Sequence, residues 1–297
     1  MRLKIDCVFS GGGMKALAFI GAIEVLEEKN YEFIRTAGTS AGAITAALVS
    51  AGYKSNQLKS ILKELDEKTI LDKSLIDRLF PFPRWLAFYF RMGLYKGNTL
   101  EEWLESHLSA KGVHTFEDLP DGTLKVVASD LTSGEIIVIP DDLPKYGIDP
   151  GSFSVARAVR MSAGIPYFFI PEKLIEPTKD KHVIVDGGLL SSFPLWVFEK
   201  EDQRRKRPIV GMKLSKTLYK PIEKKINNSF DMLQALFSTM LSAHDNLYIN
   251  KSDAKDIIFI PVPEYSITDF NLSSEDRKQL IQIGRDHAEL FLKNWNS

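Results

Sequence analysis

The chain has 297 residues and a mass of 33.5 kDa, with 38 basic against 39 acidic residues and a formal net charge of -1. That length can bury a sizeable core in one large α/β domain or two smaller ones, and the even balance of charge leaves no electrostatic footprint for a nucleic acid. Its one cysteine, Cys7, excludes a disulfide framework or a cysteine metal site within the chain and suits a reducing, cytoplasmic setting.

The opening "MRLKIDCVFSGGG" runs straight into a strand-like stretch and lacks the features of a signal peptide. No run of 18 or more apolar residues predicts a membrane span. Residues 3–9 read as a strand and Gly11, Gly12 and Gly13 as a turn. "MKALAFIGAIEVLEEKN" follows as a helix, with Leu17, Gly21 and Val25 at helical spacing. A second strand, turn, helix unit comes next in "YEFIRTAG" and the small-sided "SAGAITAALVSAGY". Two β-rich runs bracket Thr132-Ser133-Gly134, a hairpin signal. "HVIVDGG", "PIVGMKL" and "KDIIFIPV" are further buried-strand candidates. Helical patterns occupy roughly 228–250 and 274–295, the latter capped in the region of Ser273 to Asp276. Strands alternating with helices predict a mostly parallel sheet with helices on both faces. With no internal repeat and no low-complexity linker, one domain over 1–297 is expected. The charged run "EKEDQRRKRP" at 199–208 reads as a solvated loop rather than a localisation signal.

The glycine turn fits two chemistries in form. Gly11-x-Gly13-x-x-Ala16 resembles a dinucleotide fingerprint, but the acid needed at the end of the second strand is missing from "RTAGTSAG", and no Gly-Lys-Ser or Gly-Lys-Thr makes a P-loop. As an oxyanion hole, Gly11, Gly12 and Gly13 make better sense: without Cβ atoms, the N–H groups of Gly12 and Gly13 can point into one concavity at a helix N-terminus. A plain tight turn would need only one glycine.

Gly38-Thr39-Ser40-Ala41-Gly42 places a serine between glycines at a strand-to-helix junction. Serine is also a common N-cap. As a nucleophile elbow, the stretch would aim the Ser40 hydroxyl off the end of the sheet, with Gly38 and Gly42 avoiding collisions. None of His107, His114, His182, His244 and His287 lies at a strand end from which it could serve Ser40 as base. Asp186 does, followed by Gly187 and Gly188. A Ser40-Asp186 dyad is expected, the alternative being that Asp186 caps a turn. An aspartate with an ordinary pKa of about 3.9 is a poor proton acceptor, so the reading requires partial burial to raise it.

These three elements, in this order, resemble the patatin-like phospholipase family from about Leu3 to the Pro194 region. "ARAVRMSAGIPYFFIP" resembles the family's Ser-x-x-x-Pro segment through Ser162 and Pro166, which is thought to line the site. The resemblance implies a three-layer α/β/α sandwich, a Ser-Asp dyad and calcium-independent hydrolysis of lipid acyl esters. Two departures stand out: Lys15 occupies the place of the family's arginine, and Ser192-Phe193-Pro194 lacks its asparagine. Lysine keeps the charge but not the bidentate donation.

Residues 80–95, "FPFPRWLAFYFRMGLY", hold seven of the 31 aromatics, with Phe80, Phe82, Trp85, Phe88, Tyr89 and Phe90 beside Arg84 and Arg91. This mixture suits a membrane interface or an acyl channel; filling the core is the plainer use of such rings. The expected protein is therefore a serine lipid acyl hydrolase of phospholipase A or lysophospholipase type. It would take a lipid or fatty acyl ester substrate, use no metal or cofactor, and make peripheral membrane contact. A silent lipid-binding module on the same fold and a nucleotide-binding protein are the alternatives.

Overall fold

The computed structural model describes residues 2–62, 65, 91–199, 207–216, 254–263 and 272–295, with 226, 232, 235, 236 and 239 singly. Most of the pattern over 228–250, most of the charged run, and Phe80, Phe82, Arg84, Trp85, Phe88, Tyr89 and Phe90 lie outside the described residues.

The first two units form as the sequence predicts. Strand β1 (Leu3–Phe9) leads through the glycine turn to α1 (Leu17–Glu28), and β2 (Tyr31–Thr39) leads through Ser40 to α2 (Ala41–Ser50). A one-turn 3-10 segment, Gly13–Ala16, precedes α1, so the α-helix starts later than the apolar spacing suggests. The chain continues through α3 (Ser55–Ile61), β3 (Gly93–Tyr95), α4 (Asn98–Ser109), β4 (Leu124–Asp130), β5 (Glu135–Ile139) and α5 (Val155–Ser162). Strands β6 (Tyr167–Phe169), β7 (Glu172–Ile175) and β8 (Lys181–Asp186) follow, then α6 (Trp196–Glu199), β9 (Ile209–Lys216), β10 (Ile257–Val262) and α7 (Ser274–Asn294).

The main sheet has the order β10-β9-β1-β2-β4-β8-β7, with β5 also on β4. From β10 to β4 every pair is parallel; β5, β7 and β8 run antiparallel to their neighbours. The sheet is therefore mixed and mostly parallel, with helices on both sides. The hairpin at residues 132–134 joins β4 to β5, and Gly134 takes the left-handed conformation the turn needs.

Alternation along β1 feeds two cores. Cys7 and Phe9 enter the larger cluster, where the Phe9 ring lies 5.5 Å from Phe19 of α1, while Val8 joins a smaller cluster with Phe193, Leu195 and Phe198. Burying each such side chain contributes about 1.5–3 kcal/mol. Helix α7, capped by Ser273, which accepts from the Asp276 N–H at 3.1 Å, packs along α1. Gly21 and Gly284 lie at this contact, where a Cβ on either would run into the other helix's backbone. That close approach braces the helix emerging from the glycine turn.

The register around β4 sets the site. Its residues Val126 to Asp130 pair with β5, so β2 and β8 must share the other edge. There Thr39 lies opposite Val127 and Asp186 opposite Ala128. The carboxyl ends of β2 and β8 therefore meet head to head.

Candidate active site

The Ser40 backbone has φ 57° and ψ -127°, a conformation costing a non-glycine residue on the order of 1–3 kcal/mol. Packing holds it there. A Cβ on Gly42 would lie 2.5 Å from the carbonyl oxygens of Phe9 and Ser10, and one on Gly38 would overlap the Gly42 backbone. The Ser40 N–H donates to Ser162 Oγ at 2.9 Å, and that hydroxyl donates in turn to the Val127 carbonyl at 2.6 Å. Ser162, fully buried at the end of α5, thus fixes the turn from behind. Its membership of a quoted motif was visible in sequence; its bond to Ser40 was not.

The Ser40 hydroxyl donates to Asp186 Oδ2 at 2.6 Å, and Gly188 N–H donates to Asp186 Oδ1 at 2.7 Å. Asp186 is 2% exposed. Burial pushes its pKa up to about 7, against the opposing pull of the Ser40 and Gly188 hydrogen bonds. Gly187 sits directly on the Val127 carbonyl, leaving no room for a side chain between β8 and β4.

The chain beyond Asp186 is stitched to both glycine turns. Thr39 Oγ1 donates to the Ser191 carbonyl at 2.9 Å, and the Gly11 N–H donates to the Ser192 carbonyl at 2.9 Å. Gly11 is therefore engaged and is not a free oxyanion donor. A Cβ there would lie 3.5 Å from Ser40 Cβ, an ordinary contact distance, so space does not demand glycine at this position. Among the described residues the Gly12 and Gly13 N–H groups have no hydrogen-bond acceptor. Ser192 acts on Gly11 through its carbonyl, so the missing asparagine side chain does not affect this bond. Lys15 lies within the 3-10 segment Gly13–Ala16.

Ser40 and Gly13 open together onto an apolar pocket, lined also by Met14, Leu17, Ile44, Leu62, Leu65, Leu100, Ile165 and Phe169. Pro166 is not part of that lining. The described histidines lie elsewhere: His107 against Trp103, His114 with Glu105, His182 between Asp130 and Glu176, and His287 on α7. His244 is outside the described residues. Among the described residues no cluster of His, Cys, Asp and Glu could hold a metal ion.

A family described as patatin-like phospholipase matches residues 7–199, which span the glycine turn, Ser40 and Asp186. The chain belongs to this family. Among relatives, it is 48% identical to the uncharacterized protein YqhO of Bacillus subtilis, over 99% of each chain. It is 23% identical to the probable lipid hydrolase 463L of Invertebrate iridescent virus 6, over 67% of this chain and 65% of that one. Its fold is similar to VipD from Legionella pneumophila, with TM-score 0.60 and 18% identity, covering 98% of this chain and 67% of that chain. It is also similar to the type III effector ExoU, with TM-score 0.52 and 16% identity, covering 98% of this chain and 53% of that chain.

Within this patatin-like frame, sequence reasoning missed Arg160. It is 1% exposed and donates through Nε to the Gly97 carbonyl at 3.1 Å and through Nη2 to the carbonyls of Lys96 and Ile170, with Phe169 against its guanidinium. The large amphipathic contrast of α5 is the one sequence signal of a charge turned inward, and it does not identify the carbonyls as partners.

Proposed function

We propose that this patatin-like phospholipase family member is a serine hydrolase of lipid acyl esters in which Ser40 is the nucleophile and Asp186 its base. The single observation that carries the reading is the 2.6 Å bond from the Ser40 hydroxyl to a buried carboxylate whose pKa lies near neutrality. Membership of a phospholipase family supports lipid hydrolysis as the general activity.

As Ser40 Oγ attacks the acyl carbon, its proton passes to Asp186 Oδ2. The oxygen of the former carbonyl, now negative, lies against the Gly12 and Gly13 N–H groups at the start of the helical segment. The protonated carboxyl then gives its proton to the departing alcohol. Water attacks the acyl-serine by the same route in reverse order, losing a proton to Asp186, which returns it to Ser40 Oγ as the fatty acid leaves. A base with a pKa near 7 both accepts and returns a proton at neutral pH. The pocket that Ser40 shares with Gly13 suits an acyl chain, since among its described lining residues only Ser40 and Thr45 carry polar side chains.

The proposal includes one unit over residues 1–297, a cytoplasmic setting and contact with membranes from the outside; among the described residues no helix is long and apolar enough to cross a membrane. Labelling with a fluorophosphonate followed by peptide mass spectrometry should place the adduct on Ser40, and Ser40→Ala should abolish both labelling and turnover of a short-chain nitrophenyl ester. An adduct on another serine overturns the assignment. Labelling of Ser40 without turnover of any lipid ester would favour a silent lipid-binding module.

A further inference from the structure

We infer that the exposed segment from Arg91 to Lys96, with Tyr167 of β6 beside it, is the surface by which this protein seats on a lipid bilayer with anionic headgroups. Strand β3 pairs with β6 through Gly93 and Tyr167 and through Tyr95 and Phe169, forming a two-stranded sheet apart from the main one. Three large side chains lie exposed close together here: Met92, 38% exposed, in the bend before β3, Leu94, 47% exposed, on β3, and Tyr167, 44% exposed, on β6 opposite the Gly93 that separates the other two. Exposed apolar residues scattered singly need no explanation, but three close together do.

Two of the three also hold an unusual backbone. Met92 and Tyr167 both hold positive φ, 59° and 64°, which bulky residues rarely adopt. Such strain persists only where the surroundings enforce it, and it gathers at functional positions. At the other end of the ribbon Arg160 binds the carbonyls of Lys96 and Gly97 after β3 and of Ile170 after β6 from inside the protein. With the ends of both strands tied from beneath, and Tyr95 and Phe168 packed ring to ring at 5.0 Å, the two strands are held together as one piece.

Charge and position choose the occupant. Arg91 and Lys96, both exposed, bracket Met92 to Tyr95 with no acidic residue between them. Basic groups flanking a small apolar wedge suit phosphate-bearing headgroups over acyl chains. The ribbon also continues into the pocket that contains Ser40, because Phe169 of β6 and Ile165 just before it line that pocket. A bilayer at this face would present acyl chains at the pocket's own wall. The inference rests on the lipid reading of the site.

The test uses Ser40→Ala protein, so that a failure of catalysis and a failure of this surface are separate results. Co-sedimentation with vesicles of phosphatidylcholine mixed with phosphatidylglycerol should show binding that weakens on phosphatidylcholine alone. Met92→Asn with Leu94→Asn should weaken it by about tenfold or more, since two apolar contacts are removed. Asparagine tolerates the left-handed backbone at 92. With Ser40 restored, the same double variant should cleave a soluble short-chain ester at the wild-type rate. A second measurement does not depend on the stability of that variant: in Leu94→Cys the new thiol is the accessible one, Cys7 being fully buried, and a polarity-sensitive fluorophore there should shift to the blue on vesicles. Unchanged sedimentation of the double variant, absence of vesicle binding by the parent, or an unshifted label would each overturn the assignment.

Discussion

The Ser40 backbone N–H and the Ser162 hydroxyl are 2.9 Å apart, joining residues 122 positions distant in the chain. The turn of the proposed nucleophile is therefore braced from the end of α5. Ser162→Ala leaves both the Ser40 N–H and the Val127 carbonyl short of a buried partner, at about 1–3 kcal/mol each. As a positioning residue it should act on kcat more than on KM. We expect kcat for a soluble ester to fall about tenfold or more with KM little changed, which is the pattern of misplacing a reacting group. Steady-state kinetics beside a melting curve checks this; a drop in melting temperature with kcat intact would reduce Ser162 to a packing role.

The buried Asp186 carboxyl makes both activity and stability depend on pH. In the proposed mechanism its ionised form accepts the proton, so kcat/KM should rise with pH through an apparent pKa near 7. Stability runs the other way. The folded carboxyl holds its proton to about pH 7, while the unfolded one releases it near the ordinary 3.8, so the folded state binds more protons between those values. This contribution is complete below the lower value and is lost as pH rises through the upper one. Asp186→Asn removes the titration: it should abolish turnover, yet above pH 7 it should raise stability relative to wild type by up to about 4 kcal/mol. Denaturant unfolding of both proteins across pH reads this directly.

Gly42→Ala tests the packing of the elbow. The added methyl would press on the carbonyls of Phe9, the last residue of β1, and of Ser10 just after it. Overpacking of this kind costs about 1–3 kcal/mol. Because the strain falls on the turn itself, ester turnover should decline further than the loss of folded protein explains, a difference seen by normalising rates to circular dichroism amplitude.

Chelation should leave ester hydrolysis unchanged, since the proposed steps use only Ser40, Asp186 and backbone N–H groups. Loss of activity in EDTA that calcium restores would contradict the dyad as written.

Much of the site was legible in the sequence because its demands are local. A serine on a sharp strand-to-helix turn needs glycines two residues to either side, and Gly38 and Gly42 meet backbone just as that requirement says. The two strand, turn, helix units could likewise be read from apolar periodicity. What Gly11 does could not: its N–H is taken by the carbonyl of Ser192, a residue 181 positions later, and no local pattern encodes a backbone bond at that separation. Arg160 belongs to the same class, a charge made tolerable inside the fold by three carbonyls from distant turns.

Sequence alone determined that Asp186 ends an apolar strand and is followed by glycines that leave its carboxylate uncovered. It did not determine the strand's direction, because alternation and apolar content are the same for either polarity. In a parallel sheet every strand delivers its carboxyl end to one edge, and that would have been the simplest way to bring Asp186 to Ser40. Tertiary structure decided otherwise. Strand β8 comes in antiparallel along the edge of β4 beyond the point where β2 stops, so that Asp186 halts opposite Ala128, one residue past Val127 and its partner Thr39. The two strand ends meet because β4 continues past the point where β2 stops, and that offset is fixed by pairing across the sheet, not by either strand's own residues.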